Sequence, residues 1–557
     1  MNKLGDEYVF GTYIEDKNNG EDSIFVKVHE HYENGEIKPR LRQIKNFKRE
    51  VYVTKPEFRD HEDKKEFEYK TKCRKILTTE REMPSKLWKE LNGFAPKNNI
   101  TYYQVKDNPY IYGCDTPITS VLAEAFIEKN PKLVAPLTLA VMDYEWDVKD
   151  GTGEILCGVI SMKKVVHLAV RRSFLKNVQG DLEQRIKDIS NEYLGEVYKE
   201  RGIKLKIDIV EDEHEVPLKL IDTAHQLKPD VLGFWSIAGD MNKMLNSFNK
   251  VGIDPANVFS DPSVPKAYRF FNWYEDKTRK LKSNGDVHIK HHTDLLHVVT
   301  TPASFHMQCL MALYKTIRAA KQLKSFSLDN ILHEELSLGK LKFKHLGKML
   351  EKLSQLSWHK IMQERFPLEY LVYLQWDAIP VEMLNELTGD VSWGLRTLAN
   401  KSSFKNIKST PTILRDCQHF NFLKDGKVIG VASKDMMTPM EKLVPDRNDW
   451  IKTLPTELRT GMGVKCILED ETVETLISID NQDLDVESAY PTLTINLNIS
   501  KFTRKYEVCK IQGFNRYKQR RFTISLTNVK GNAIQLAQDG WGFPLLNDLY
   551  DDFVNSF

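Results

Sequence analysis

The sequence is poor in cysteine and lacks the motifs that bind zinc tightly or hydrolyse ATP. Its seven cysteines are scattered, and no two of them form a C-x-x-C pair. This arrangement excludes a zinc ribbon and a disulfide framework, so we expect buried free thiols. The segment HIKHHTDLLH, at 288–297, holds four histidines but neither H-E-x-x-H nor close zinc spacing. No glycine-rich P-loop occurs, and an ATPase is therefore not expected.

The sequence also lacks a long apolar run and a large excess of charge of one sign. The longest nearly apolar run, LVAPLTLAVM from Leu133, covers about half of a bilayer span. The opening MNKLGDEYVFG has no apolar core of the kind found in signal peptides, which predicts a cytoplasmic protein with no membrane partner. The 80 basic and 78 acidic residues nearly cancel, so net charge alone indicates no nucleic-acid partner.

Length and patterning predict an α/β protein, that is, an α+β multidomain chain. The 557 residues are enough for roughly three or four domains. Residues 1–133 alternate short β-like runs with turn sequences such as NNG, which predicts a mixed module. From residue 134, VAPLTLAVMDYEWDV and CGVISMKKVVHLAV predict two strands of a buried sheet, with helical patterns up to about residue 390. Another sheet is predicted from Val464 onwards.

A pair of carboxylates lies in the first of these buried strands. In AVMDYEWDV, the two-residue period places Asp143 and Glu145 on one face, with Asp147 in line. Two like charges so close repel each other unless a cation lies between them, so the pattern favours a hard metal ion. The alternative is a solvated strand face, but the flanking run is apolar.

Three further side chains could complete such a site. Asp240 ends the strand-like run DVLGFWSIAGD and precedes a helical pattern, so its alternative role is that of a helix N-cap. Tyr373 lies four residues before Asp377 in EYLVYLQWDAIPVEML and therefore on the same helical face. The alternative there is a buried tyrosine beside a solvated aspartate.

One more acidic residue, Asp485, lies near the end of the sequence in LDVESAYPTLTINLNIS. Val486, Ser488 and Tyr490 follow it in a strand-like run. The alternative interpretation is an ordinary strand that ends at a proline. Asp485 is a candidate for one of the two carboxylate ligands of a metal site.

The order of these motifs resembles a known family. A D-x-E strand, a small-residue turn that ends in Asp, and Y-x-x-x-D on a helix are similar to the three motifs of DnaQ-like 3′–5′ exonucleases, as embedded in family B DNA polymerases. The resemblance implies an RNase-H-like domain that binds two Mg²⁺ or Mn²⁺ ions. One ion would activate the attacking water and the other would stabilise the leaving oxygen. The residues implicated are Asp143, Glu145, Asp240 and Asp377 as metal ligands, with Tyr373 orienting the water.

Three longer segments are similar to the family B replicative polymerases of T-even-type phages. They are YKTKCRKILTTEREMPSKLWKELNGF, SFSLDNILHEELSLGKLKF and DVESAYPTLTINLNIS, the last of which resembles the palm motif. The resemblance implies that Asp485 holds the catalytic metals of nucleotide addition beside the Val486 carbonyl. Ser488 belongs to the same nucleotide-binding motif, and Tyr490 would be the steric gate that selects dNTPs.

The chain departs from the family after Asp485. The family's Lys-Asn-Ser-x-Tyr-Gly helix motif and its Asp-Thr-Asp turn are absent, and the last segment resembles only the entry into the fingers helix. We therefore interpret the chain as the amino-terminal part of a split phage DNA polymerase. A second polypeptide would carry the rest of the fingers, palm and thumb. The pair would bind primer-template DNA and dNTPs, and a sliding clamp through the partner chain.

This interpretation divides the chain into five segments and adds a candidate DNA contact. Residues 501–521 hold eight basic residues against one acidic, with aromatic residues interleaved. Such a strip can bind phosphates and stack on bases, although a solvated β-hairpin face is the alternative. The candidate DNA-binding residues are Arg516, Lys518, Arg520 and Arg521. The predicted domains are an amino-terminal domain (1–133), the 3′–5′ exonuclease domain (134–390), a return segment of the amino-terminal domain (391–455), a partial palm (456–540) and the start of the fingers (541–557).

Two other functions stay open at this stage. The chain could be a stand-alone exonuclease with a remnant palm. It could also be a non-catalytic DNA-binding subunit, because Ser236 and Gly239 stand where the family has an asparagine and an aromatic residue before Asp240. A neighbouring reading frame with the missing motifs would favour the split polymerase.

Overall fold

The structure is a computed structural model that describes most of the first 430 residues. The features below belong to one compact unit, residues 1–60 and 64–431. The predicted palm and fingers, and the return segment beyond residue 430, lie outside the described residues. No helix in the described part of the chain is both long enough and apolar enough to pass through a bilayer. The described residues are 2–16, 21–61, 64–65, 67–106, 108–276, 280–281, 287–288, 296–319, 323, 325–347, 350 and 353–430.

Strands and helices are mixed along the chain, which confirms the predicted α/β class. Within the described residues the strands are β1 (Lys3–Asp16), β2 (Glu21–Tyr32), β3 (Ile37–Lys45), β4 (Arg49–Thr54), β5 (Phe67–Tyr69), β6 (Cys73–Thr78), β7 (Ile111–Tyr112), β8 (Leu139–Trp146), β9 (Ile155–Met162), β10 (Val165–Arg171), β11 (Lys204–Val210), β12 (Val231–Phe234), β13 (Asn272–Asp276), β14 (Lys280–Leu281), β15 (Val287–His288), β16 (Leu296–Thr300), β17 (His306–Cys309) and β18 (Lys427–Ile429). The α-helices are α1 (Met83–Asn92), α2 (Tyr102–Val105), α3 (Ile118–Lys129), α4 (Leu182–Arg201), α5 (Glu215–Leu227), α6 (Ile237–Lys250), α7 (Pro255–Phe259), α8 (Leu310–Ile317), α9 (Leu328–Leu336), α10 (Gln355–Arg365), α11 (Pro367–Thr388), α12 (Leu395–Ala399) and α13 (Thr410–Lys424).

The largest sheet has six strands in the order β11-β10-β9-β8-β12-β17. Its middle is antiparallel, because β9 pairs antiparallel with both β8 and β10. Its flanks are parallel: β12 pairs parallel with β8 and β17, and β11 pairs parallel with β10. Strand β8 is therefore a central strand, paired with β12 on one side and β9 on the other.

The two faces of β8 pack against different helices. Val141 is buried in a core that it shares with apolar residues of α4 and α11. Met142 and Tyr144 are buried in a second core with residues of α5 and α6. Because successive side chains of a strand point to opposite faces, Asp143 and Glu145 follow Val141 on the α11 side.

Helix α11 forms the wall opposite these two carboxylates. It begins at Pro367, whose fixed φ and missing N–H suit a first helical turn. It ends before Gly389, which has a φ of 68° and closes the helix in the left-handed conformation. Most residues between these ends are buried, as expected of a helix that is apolar on nearly all sides. Asp377 is therefore carried on a buried helix.

The amino-terminal part of the chain forms smaller sheets. Strands β1, β2 and β3 make an antiparallel meander, and β6, β4 and β7 make a second sheet. Strand β18 pairs with β5, so the chain returns to this region near residue 428. Lys27 of β2 is fully buried, and its ammonium donates hydrogen bonds to the carbonyls of Lys228 at 2.9 Å, Pro229 at 3.1 Å and Ser304 at 2.6 Å. These bonds fix the meander to loops of the six-stranded sheet.

The segment 249–290 contains short regular elements. Helix α7 and strand β13 lie within it. Phe259 of α7 stacks on Phe271, with ring centroids 4.6 Å apart. Such contacts between neighbouring elements stabilise short helices and strands whose local sequence pattern is weak.

Candidate active site

Strand β8 and helix α11 bring three carboxylates together. Oxygen atoms of Asp143, Glu145 and Asp377 all lie within 4.8 Å of one another. Asp377 is only 4% exposed, so the alternative of a solvated aspartate at that position is wrong. Together with Asp240, described next, these residues are called the carboxylate site. The site joins residues that are more than two hundred positions apart in the sequence.

Asp240 approaches the same site from helix α6. The helix begins at Ile237 with Ser236 at the N-cap, so Asp240 lies inside the first turn and the N-cap interpretation is wrong. Asp240 is 6% exposed. Burial, and then the negative charges of Asp143 and Glu145, raise the pKa of Asp240 well above its usual value. It borders the three carboxylates but is not part of the group that lies within 4.8 Å.

Asp147 has a different role from its neighbours on the strand. It follows the end of β8 and binds the turn before β9, where it accepts hydrogen bonds from the backbone N–H groups of Asp150 at 3.0 Å and Thr152 at 3.1 Å. The Thr152 hydroxyl donates to it as well, at 2.6 Å. The expectation that Asp147 continues the line of Asp143 and Glu145 is therefore wrong, because the strand ends at Trp146 and a register shift precedes it.

Lys340 is a site residue that the sequence motifs did not identify. Its ammonium lies 2.5 Å from Asp377 Oδ2 and donates to the Tyr373 hydroxyl at 2.9 Å. Burial alone would lower the pKa of Lys340, but the charge of Asp377 raises it above its usual value, so the side chain is a cation. The only sequence signal was its place in SLGKLKF, a segment that resembles the polymerase family without a recognised site motif.

A chain of hydrogen bonds holds Glu145. The Tyr370 hydroxyl donates to Glu145 Oε2 at 2.5 Å. Because a hydroxyl has one proton, its oxygen must accept from His359 Nδ1 at 2.7 Å and from Gln363 Nε2 at 3.2 Å. Burial, and then the charge of Lys340, lower the pKa of His359 to about 4, so the ring is neutral with its proton on Nδ1. Gln363 also donates to the carbonyl of Trp146 at 2.9 Å, which fixes the end of β8.

One of the two positions at which the chain departs from the family motif, Gly239, lies beside Trp146. Ser236 makes no side-chain capping bond. A Cβ atom placed on Gly239 would lie 3.6 Å from the Trp146 indole, which is ordinary van der Waals contact. Lys243 covers the same indole at 5.3 Å and donates to the carbonyl of Gly153 at 2.8 Å. The indole that lies against Gly239 thus belongs to β8.

The carboxylate site has more negative charge than its surroundings balance. Burial, and then the charge of Asp377, raise the pKa of Asp143 to about 7. Burial, and then the charge of Asp143, raise the pKa of Glu145 to about 8. Burial also raises the pKa of Asp377, although Lys340 opposes this effect. Among the described residues, Lys340 is the one cationic side chain bonded to these carboxylates.

The donor set fits a hard divalent cation. Asp377 Oδ1 is buried and has no hydrogen-bond partner among the described residues, which is costly unless an ion or water binds it. Carboxylate oxygens are the ligands that Mg²⁺ and Mn²⁺ prefer. Asp143, Glu145 and Asp377 could therefore hold such an ion, with Asp240 next to it.

The remaining candidate residues cannot be placed in the same way. The proposed palm, nucleotide-binding and DNA-binding residues lie outside the described residues. They are Asp485, Val486, Ser488, Tyr490, Arg516, Lys518, Arg520 and Arg521.

Comparisons with known proteins give no family for the chain. No protein-family model matches the sequence, and no curated protein matches it with significant similarity.

Proposed function

We propose that the chain is a metal-dependent 3′–5′ exodeoxyribonuclease and the amino-terminal part of a split, family B type DNA polymerase. The observation that carries the nuclease proposal is the approach of Asp143, Glu145 and Asp377 to within 4.8 Å of one another. Two further observations support it: the negative charge of these carboxylates is not balanced by nearby cations, and Asp377 Oδ1 is unpaired within the described residues. Both favour a divalent cation.

The finer domain assignment rests on the sequence resemblance. An RNase-H-like, DnaQ-type domain would cover 134–390, between an amino-terminal domain and a partial palm. The order of the D-x-E, Asp240 and Y-x-x-x-D motifs supports this assignment, and a central strand that carries the first motif is compatible with it. The chain would act on DNA in the cytoplasm of a phage-infected cell.

In this mechanism, bound Mg²⁺ or Mn²⁺ supplies activation of the attacking water and stabilisation of the leaving 3′ oxygen. Asp143, Glu145 and Asp377 would hold the cation, and Asp240 lies next to them. Lys340 donates to the Tyr373 oxygen, which leaves the phenolic proton free for Asp377 or for the attacking water. Tyr370 keeps Glu145 in one orientation through the hydrogen bond that it donates.

The polymerase half of the proposal concerns Asp485. It would bind the metals of nucleotide addition with Val486, Ser488 and Tyr490 around the dNTP, while a partner polypeptide supplies the second palm carboxylate. The basic strip at 501–521 would contact primer-template DNA. This half depends on the resemblance alone, and Asp485→Ala should remove primer extension by the reconstituted pair without changing digestion.

Digestion of an oligonucleotide tests the nuclease proposal. The purified chain should shorten single-stranded DNA from its 3′ end in the presence of Mg²⁺ or Mn²⁺, and a chelator should stop the reaction. Asp143→Ala combined with Glu145→Ala should abolish digestion with the fold intact by circular dichroism. Asp147→Asn is the matched control, because Asp147 is on the same segment but its hydrogen bonds within the described residues go to the turn before β9.

Three results would contradict one or the other half of the proposal. Digestion that persists at the same rate in the Asp143→Ala, Glu145→Ala chain would place the activity elsewhere or in a contaminant. An intact, metal-loaded chain that binds DNA but never cleaves it would favour the non-catalytic DNA-binding subunit. A chain that digests DNA but has no partner in the neighbouring reading frame would favour the stand-alone exonuclease.

A further inference from the structure

A second group of possible metal ligands lies in the β1–β2 hairpin, away from the carboxylates of β8. Glu7, His29 and His31 each offer a ligand atom, and these atoms all lie within 4.8 Å of one another. Glu7 pairs directly with His29 across the two strands, and His31 follows on the same face of β2. These three residues are called the histidine cluster. Its geometry comes from strand pairing, which holds the backbone of all three residues in place.

His29 is oriented as a metal-binding histidine is. Its Nε2 lies 2.8 Å from Asp230 Oδ1. Its Nδ1 is buried, lies 3.4 Å from Glu7 Oε2 and has no hydrogen-bond partner in the described part of the chain. A carboxylate that holds one imidazole nitrogen commonly directs the other nitrogen at a metal. Asp230 is itself fixed, because it accepts from the backbone N–H of Thr138 at 2.8 Å and from its hydroxyl at 2.9 Å.

The other two residues complete a three-ligand arrangement. His31 Nε2 lies 2.7 Å from Glu7 Oε2. The second oxygen of Glu7 accepts from the Ala135 N–H at 3.1 Å and pairs with Arg396, so Oε2 is left to face the two histidines. The side chain of His31 is 12% exposed, which leaves a path for water or an ion to reach the cluster.

We propose that Glu7, His29 and His31 bind a divalent transition-metal ion, of which Zn²⁺ is the best match, with Asp230 holding His29 in place. Two imidazoles and one carboxylate are a ligand set typical of Zn²⁺, and the fourth position would be taken by water. The 3.4 Å between His29 Nδ1 and Glu7 Oε2 is close to the separation of two ligands on a tetrahedral ion. Glu7 Oε2 would move away from His31 as the ion enters.

The position of the cluster suggests what the metal does. Glu7, His29 and His31 belong to the amino-terminal meander, whereas Asp230 precedes β12 of the six-stranded sheet. Arg396, which pairs with Glu7, belongs to α12. An ion there would link β1 to β2, and Asp230 and Arg396 would connect this metal-bound hairpin to β12 and α12. Lys27 pairs with Asp230 Oδ1, the oxygen that also bonds His29, and Arg396 pairs with Glu7 Oε1, so the imidazole lone pairs, rather than excess negative charge, would attract the ion.

Cobalt absorption tests the site without depending on nuclease activity. Co²⁺ added to the full-length, chelator-treated chain should give the strong visible absorption of a four-coordinate nitrogen–oxygen site, saturating at one ion per chain. Zn²⁺ should displace it. His31→Ala should lose this absorption, whereas Asp143→Asn with Glu145→Gln should keep it. A control in a surface helix, His333→Ala, should also keep it.

A second measurement covers the case in which a variant does not fold. Zn²⁺ should raise the Tm of the wild-type chain, while Mg²⁺ at the same concentration should not give the same increase. In a folded Asp230→Asn chain, the affinity for Co²⁺ should fall roughly 10- to 100-fold, as expected for a residue that holds a ligand. Absorption that is absent from the wild-type chain overturns the proposal. So does absorption that survives His31→Ala, for example because the histidines at 288–297 bind the ion.

Discussion

Two groups of buried or half-buried carboxylates in this protein have opposite electrostatic surroundings. In the carboxylate site, burial and mutual repulsion raise the pKa of Asp143 to about 7 and that of Glu145 to about 8. Near the histidine cluster, burial would also raise the pKa of Asp230, but the hydrogen bond from His29 and the charge of Lys27 hold it at about 2. The pKa of Glu7 is lowered as well, by His29 and Arg396 against the effect of burial.

The difference shows where the protein supplies its own counterions. Asp230 and Glu7 are surrounded by cationic or hydrogen-bonding partners, so their charge contributes to the contact between the meander and the sheet. The carboxylate site has Lys340 but no comparable set of partners among the described residues. A cation from solution can balance the remaining negative charge of this site. This difference in charge balance is the physical reason to distinguish a functional acidic cluster from a structural one.

The largest expected effect comes from removing charge at the carboxylate site. Asp143→Asn with Glu145→Gln should slow exonuclease cleavage on the order of a thousandfold. This corresponds to an activation free energy that is higher by about 4 kcal/mol. The same change should raise the free energy of unfolding of the metal-free chain at pH 8 by on the order of 1–3 kcal/mol, because it removes repulsion between buried charges. Digestion rates and chemical denaturation measure the two effects.

The stability measurement is the sharper of the two. A double variant that loses activity because it unfolds would be less stable than the wild type. The proposal that these carboxylates repel each other in the folded, metal-free chain would then be wrong. Asp147→Asn should retain activity, because Asp147 contacts the turn and not the three clustered carboxylates.

The same kind of substitution at Asp230 should have the opposite effect on stability. Asp230→Asn leaves the buried ammonium of Lys27 without its anionic partner and removes the carboxylate that holds His29 Nε2, and breaking a buried pair in this way costs about 3–5 kcal/mol. Denaturant unfolding with and without the substitution measures the loss. A variant as stable as the wild type would mean that Asp230 is not what compensates the charge of Lys27.

The sequence predicted the central elements of the candidate site better than its supporting ones. Strand periodicity placed Asp143 and Glu145 on one face, and helical spacing placed Tyr373 one turn from Asp377, because both depend only on local geometry. Lys340 and the tyrosine–histidine chain that holds Glu145 were missed. Their contacts are made between distant elements, and a lone lysine or histidine in an irregular or helical segment has no local pattern that indicates a partner.

Local rules also failed where the chain leaves regular structure. Period two would continue the carboxylate face to Asp147, but β8 ends at Trp146 and Asp147 turns to bind its own loop. Composition did not identify the histidine cluster, because Glu7 and His29 become neighbours only when β1 pairs with β2. The α/β class, by contrast, was predicted from alternating apolar patterns that tertiary contacts did not override.

A smaller effect is expected from pH. Carboxylates whose pKa is raised in the folded state bind more protons folded than unfolded, so they stabilise the chain fully at low pH and lose this contribution as pH rises. For Asp143 and Glu145 the loss should extend from about pH 4 to their folded values of about 7 and 8. The contribution of Asp230 to stability depends on pH in the opposite direction, because it is lost as the pH falls towards about 2. Thermal unfolding of the metal-free chain should show the first trend.

Mg²⁺ distinguishes this trend from unrelated titrations. Saturating Mg²⁺ should remove most of the decrease in stability between pH 5 and pH 8. The Asp143→Asn, Glu145→Gln chain should not show this decrease even without the ion. If stability falls equally with pH in that variant, the decrease comes from other groups.

The smallest predicted effect concerns the hydrogen bond that orients Glu145. Tyr370→Phe removes the donor at 2.5 Å and leaves the ring packing in place, so the activity and the Mn²⁺ affinity should each fall about tenfold, or about 1.4 kcal/mol. Tyr198→Phe is a matched control, since that buried hydroxyl donates to Gln375 and does not contact a carboxylate of the site. Both variants should lose similar stability, but only Tyr370→Phe should weaken Mn²⁺ binding, measured by electron paramagnetic resonance. Equal Mn²⁺ affinity in the two variants would show that Tyr370 supports the fold and not the orientation of Glu145.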